Sequence, residues 1–161
     1  MKYLSARLFL AFFLLLAPVQ SVHAQEQIAG DAAVFDDWRV ACDQAQPCRM
    51  AQSVVQVASK RLILQVKVFK GDEPTMLLSF PLGILLNTGW QYQIDGRSPT
   101  LRPFEICNAD GCHAGIKLSQ SLLAALKRGR TLSVTFFDAG RTKVNPQISL
   151  IGFTKAYESL P

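Results

Sequence analysis

Four cysteines, a histidine beside one of them (His113; the other, His23, lies in the N-terminal leader), and a few clustered charges are the side chains of this 161-residue sequence whose types and spacing could do chemistry. Cys42 and Cys48 bracket a turn containing Gln44-Ala45-Gln46-Pro47, and Cys107 and Cys112 bracket Asn108-Ala109-Asp110-Gly111. Thiols in such pairs serve as disulfides, metal ligands or redox couples. A zinc site built from Cys42, Cys48, Cys107, Cys112 or His113 would lack the C-x-x-C knuckles of structural zinc sites. A thioredoxin-like couple needs the same missing motif. Two disulfides are the better reading, and four cysteines allow three connectivities. Local pairing, Cys42 with Cys48 and Cys107 with Cys112, is expected, because each turn can hold its Cα atoms within the ~7 Å a disulfide tolerates. No cofactor or metal is expected.

His113 follows Cys112 directly. As a general base it would need a serine and an acidic partner brought near by folding, and no nucleophile-elbow sequence accompanies it. A hydrolase using His113 is therefore an alternative, and no catalytic residue is expected. Asp36, Asp37 and Asp43 read as solvated charges on or beside a strand and not as a catalytic carboxylate pair. Gly111 and Gly115 suit turns or bulges and form no phosphate-cradling motif. Lys127, Arg128, Arg130, Arg141 and Lys143 form the one basic group worth weighing as a contact for anionic lipid headgroups, sulfated glycans or a cell-surface partner. An intervening strand would put its two halves at opposite ends.

The elements that must position these residues are mostly strands. Residues 35–42 read as a first strand with Trp38 and Val40 on one face, and residues 48–57 as a second. Leu62, Leu64, Val66 and Val68 alternate with Gln65 and Lys67. Residues 75–80 return after a turn at Gly71-Asp72-Glu73-Pro74. Residues 81–89 form an apolar loop, and 90–94 alternate Trp, Tyr and Ile with Gln. Pro99 and Pro103 consign the next strand to an edge. A helix over 119–128 has Ser119 or Ser121 as cap, Leu122, Leu123 and Leu126 as its stripe, and Gly129 as its stop. Strands at 131–137 and 147–153 complete an all-β antiparallel sandwich, jelly-roll-like or barrel-like, with one short amphipathic helix.

Residues 1–24 read as a secretory signal peptide: Lys2 and Arg7, then the apolar run LFLAFFLLLA, then Val22-His23-Ala24 before the cut. Cleavage there leaves a single domain over 25–161 with no transmembrane segment. It also removes two of the 17 basic residues against 12 acidic ones, lowering the formal charge from +5 to +3. So mild an excess gives no case for nucleic acid. Export fits oxidised cysteines and a periplasmic, secreted or surface-associated location.

Trp38-Arg39-Val40-Ala41-Cys42 followed by Cys48-Arg49-Met50-Ala51-Gln52 resembles the opening of the invasion-associated locus B family. Cys107-Asn108-Ala109-Asp110-Gly111-Cys112 with Ala114, the helix entering Lys127-Arg128-Gly129, and Ser149-Leu150-Ile151-Gly152-Phe153 with Ala156 resemble its remainder. The family comprises small exported proteins of alphaproteobacteria, named for a member linked to erythrocyte invasion. The resemblance implies an exported β-sandwich with no established enzymatic activity and no catalytic residue to carry over. The expected function is a non-catalytic binding or envelope-accessory protein with a protein or cell-envelope partner. The alternatives are the His113 hydrolase and a chaperone-like factor that accepts a partner's strand at an edge near residues 99–104.

Overall fold

Alternating apolar residues give two antiparallel sheets that face each other. The computed structural model describes residues 32–43 and 46–161. The expected signal peptide and the Gln44-Ala45 part of the first cysteine turn lie outside the described residues. The strands are β1 (Ala33–Phe35), β2 (Trp38–Ala41), β3 (Arg49–Val55), β4 (Leu62–Phe69), β5 (Thr75–Phe80), β6 (Trp90–Ile94), β7 (Thr100–Arg102), β8 (Ile106–Asn108), β9 (Gly111–Lys117), β10 (Thr131–Phe137), β11 (Lys143–Val144) and β12 (Gln147–Ser149). The larger sheet runs β1-β2-β3-β4-β5-β9-β8. The smaller runs β11-β10-β6-β7, with β12 also pairing to β10.

Side-chain alternation fixes which face is buried. Trp38, Met50, Leu64, Val66, Val68, Met76 and Leu78 of the larger sheet are fully buried, and so are Leu132, Val134 and Ile148 of the smaller. Phe80 lies within 5.1–5.5 Å, centroid to centroid, of Phe104, Phe136 and Trp90, so it joins the sheets in an aromatic cluster. The seam between β3 and β12 is closed by a side chain acting as a strand edge. Gln52 Nε2 donates to the Ser149 carbonyl at 3.0 Å, and the Ser149 N–H donates to Gln52 Oε1 at 2.8 Å. Trp38 Nε1 donates to the same carbonyl at 2.9 Å. Without these partners the edge of β12 would bury unsatisfied main-chain groups, at about 1–3 kcal/mol each.

Two short helices pack on this frame. The first, α1 (Gln120–Arg128), matches the sequence expectation: Ser119 Oγ accepts from the Leu122 N–H, and Lys127 and Arg128 occupy the last turn. Gly129 stops it, as expected. Its backbone is extended (φ −74°), not left-handed, and a Cβ there would lie 2.7 Å from Ile94 Cγ2 and 2.9 Å from Leu150 Cδ1. The second helix, α2 (Phe153–Ser159), replaces the end of the expected strand at 147–153. Gly152 turns the chain at φ +81°, with its backbone so close to the Phe35 carbonyl that no Cβ fits. The other departure is at the start. Residues 35–42 form no single strand, because Asp36 (φ +52°) and Asp37 turn β1 into β2.

Strand register defines two ends. Ala41, Arg49, Phe69, Thr75 and Lys117 are successive partners across the larger sheet at one end. Phe80, Cys112 and Cys107 lie toward the other. The first end is sealed. There α1 follows β9 and leads into β10, burying Leu126, while α2 covers β1 and β2 and buries Phe153, Ala156 and Tyr157. Lys70 Nζ donates to the Leu160 carbonyl at 2.6 Å and pins the end of α2 there.

Candidate functional site

The structure joins Cys42 to Cys48 and Cys107 to Cys112, with Cα separations of 4.1 and 4.0 Å. The two bridges stand at opposite ends of the larger sheet, so the four sulfurs do not converge on one centre. Cys107 and Cys112 are direct cross-strand partners between β8 and β9. Beyond them Asn108 Oδ1 accepts from the Asp110 N–H at 2.8 Å and shapes the turn.

His113 lies on the outer face of the larger sheet, in register with Ser79 of β5. Its Nδ1 is 2.9 Å from Ser79 Oγ, and its Nε2 is 3.2 Å from Asn108 Oδ1. Asn108 Oδ1 already accepts from Asp110, so in the neutral ring Nε2–H is the donor and Nδ1 accepts from the Ser79 hydroxyl. This is the hydrogen-bond order of a nucleophile, base and orienting amide, and no local pattern singled out Ser79. Two features weigh against acyl transfer. Ser79 is 9% exposed, and it sits inside β5, which is paired on both sides, so the amides around it are engaged in ladders. An oxyanion hole needs free donors aimed at the reacting atom. The three side chains serve well as a tie holding the Asn108 turn to the sheet.

The expected basic group is divided. Lys127 pairs with Glu158 at 3.1 Å and lies 5.1 Å from the Tyr157 ring centroid, and exposed Arg128 and Arg130 flank the start of β10 at the sealed end. Arg141 sits in the turn beyond the far end of β10, and Lys143 pairs with Phe137 there. The full length of β10 separates the halves, so they form no common surface. Asp36 and Asp37 occupy the exposed first hairpin turn, and Asp43 bonds Arg49 at 2.8 Å.

The open end carries what the sequence did not single out. Gln56, Arg61, Ile63, Ile84, Phe136 and Asp138 line a cleft between the β3–β4 hairpin, the segment after β5 and the β10–β11 turn. Val55, Val57 and Leu62 on the hairpin, with Leu82 and Leu86 after β5, are exposed; Val57 reaches 81% and Leu82 55%. These are five of the nine exposed large hydrophobics among the described residues. All three ion pairs among the described residues, Arg49–Asp43, Lys117–Glu73 and Lys127–Glu158, lie at the sealed end. Lys60, Arg61, Arg102, Arg141 and Lys143, all toward the open end, belong to none of them. The β7 edge also stands where the prolines placed it, with Leu101 exposed. Pro99 and Pro103 limit it to three residues, which blunts strand addition.

The sequence profile of the Invasion associated locus B (IalB) protein family matches residues 38–161. The chain belongs to that family. Within the IalB family's reach are two invasion protein B homologues from two strains of Brucella abortus. Each is 27% identical over 137 residues, spanning 78% of this chain and 76% of the relative. The crystal structure of invasion associated protein B from Bartonella henselae superposes with a TM-score of 0.70 at 22% identity, covering 79% of this chain and 93% of that one. At that identity the likeness speaks for the fold, an antiparallel sandwich shared with an IalB protein. No helix among the described residues is long and apolar enough to cross a membrane.

Proposed function

We propose that this IalB-family protein is an exported, non-catalytic binding module of the cell envelope or cell surface, and that the open end of its sandwich is the contact surface. The observation that carries the reading is the asymmetry of the two ends. One is sealed by helices and ion pairs; the other presents apolar loop tips beside cations that no described ion pair uses. Monomeric proteins rarely expose apolar side chains in a group unless that group meets something. Two local disulfides fit a chain that matures outside the reducing cytoplasm. Brucella and Bartonella relatives are named for invasion, which fits contact at a cell boundary.

The test combines fractionation with binding. The tagged chain should be recovered from the periplasm, envelope or medium with both disulfides formed. It should bind intact envelope or host-membrane preparations, and Leu82→Asp should lose that binding while His113→Ala keeps it. Cytoplasmic recovery with free thiols would refute export. Substrate turnover abolished by both Ser79→Ala and His113→Ala, with folding intact, would make the protein an enzyme.

A further inference from the structure

We infer that the open end docks on an anionic phospholipid bilayer, an assignment that rests on the binding reading above and names its partner. Val57 and Leu82 project from two separate loops of one end, and Val55, Leu62 and Leu86 back them. Side chains that fold to bury themselves would have turned into the adjacent core, where Ile63 and Ile84 already pack. Outward-facing apolar tips ringed by cations match the headgroup boundary of a membrane, where hydrocarbon and phosphate lie within a few ångströms of each other. Lys60 and Arg61 occupy the same hairpin as Val57, and Arg141 lies at the tip of the neighbouring turn.

The carboxylates of this end leave the cations in excess. Asp138 Oδ1 turns back to accept from the Thr142 N–H at 2.8 Å, Asp110 sits in the β8–β9 turn, and the Glu105 carboxylate lies against Gly115 of β9, so three carboxylates stand against Lys60, Arg61, Arg102, Arg141 and Lys143. The loops need no refolding to dock. Leu85 N–H donates to the Phe137 carbonyl and Ala139 N–H to the Gly83 carbonyl, which fastens the Leu82 loop to the β10–β11 turn. Apolar insertion and phosphate attraction would thus act together. Neither alone anchors a protein this small, since stable attachment takes two signals.

Flotation of the mature chain with phosphatidylcholine vesicles, with and without phosphatidylglycerol, tests this. Binding is expected only with phosphatidylglycerol and should weaken as salt rises. Each cation removed from the surface should cost about fivefold in partitioning, so Lys60→Glu with Arg61→Glu should weaken it by about 25-fold or more. Leu82→Asp should abolish it. Arg128→Glu with Arg130→Glu, at the sealed end, should leave it unchanged; all variants are at exposed positions, and an unchanged melting curve verifies their folding. Equal binding to neutral vesicles, or equal loss from the sealed-end variant, would overturn the assignment. Retention by envelope preparations with no binding to either vesicle would show a protein or glycan partner and leave the binding reading standing. Loss of both would remove both.

Discussion

The two ends of the sandwich solve the same geometric problem in opposite ways. A pair of facing sheets leaves apolar side chains visible at both mouths. At the Cys42–Cys48 end the chain spends two helices on closure. Phe153 packs edge-on against Trp38 at 5.2 Å and stacks on Tyr157 at 6.2 Å. Thr154 Oγ1 donates to the Lys127 carbonyl, and Lys127 in turn meets Glu158, so the helices are fastened to each other as well as to the sheets. At the Cys107–Cys112 end no helix among the described residues covers the mouth; a 3-10 turn at Leu86–Thr88 and the loops around it leave Leu82 and Val57 in solvent. One end therefore holds stability and the other is free to hold function. Stability and binding should separate when the two ends are mutated in turn.

The largest effect should come from breaking the sealed end. Phe153→Ala removes a fully buried ring and should cost about 3–5 kcal/mol in urea denaturation. Leu82→Ala, at 55% exposure, should stay within about 0.5 kcal/mol. A comparable loss from both would mean that the open end is an ordinary part of the core, and the contrast would collapse.

The clamps give a finer comparison. Each closes a loop of five or six residues in sequence separation, for which chain entropy gives about 2 kcal/mol. Cys42→Ser with Cys48→Ser and Cys107→Ser with Cys112→Ser should therefore lower stability similarly and leave folded β domains. Their effects on binding should differ. Only the second pair holds the Asn108 turn, so only its loss should loosen residues at the contact end and weaken envelope binding beyond the loss of stability. Equal binding by both double variants would take the Asn108 turn out of the contact surface. Non-reducing peptide mapping checks the pairing itself.

Much of the sealed frame could be read from the chain because its signals are local. Leu64, Val66 and Val68 alternate with polar residues, and Thr75–Phe80 and Thr131–Phe137 are the strands their patterns predict. The misses are places where a local signal is ambiguous. Residues 147–153 look like a strand because Ile148, Leu150, Ile151 and Phe153 are apolar, yet Gly152 turns the chain into α2. Phe153, Ala156 and Tyr157 did carry helical spacing, in an element only seven residues long. The first hairpin escaped notice because Asp36 takes the left-handed conformation without a glycine to announce it. The sites were less legible. Ser79 is 34 residues from His113, and the hairpin bearing Val57 meets the loop bearing Leu82 only once β4 and β5 have paired. No sequence period records such a meeting.

The smallest effect sharpens the comparison from the sealed side, through pH. Asp95 (φ +50°) ends β6, and its Oδ1 accepts from the Arg130 and Thr131 N–H groups at 2.9 Å each, tying that turn to the start of β10. These two main-chain hydrogen bonds, Arg130 first, hold its carboxyl below the usual aspartate value, with the Arg97 and Arg130 charges adding to them. A folded-state value below the unfolded one means that the contribution is fully present above about pH 4 and is lost as pH falls through the folded value. The carboxylate is exposed, so the contribution is small and screened. Asp95→Asn keeps the acceptor oxygen and tolerates positive φ, and it removes only the charge. Its melting temperature should lie slightly below that of the parent chain at neutral pH, and the difference should shrink below about pH 4. Binding at the open end should be the same for both chains at neutral pH. A difference that stays constant across the acid range would mean that the carboxylate's charge has no part in closing the sealed end.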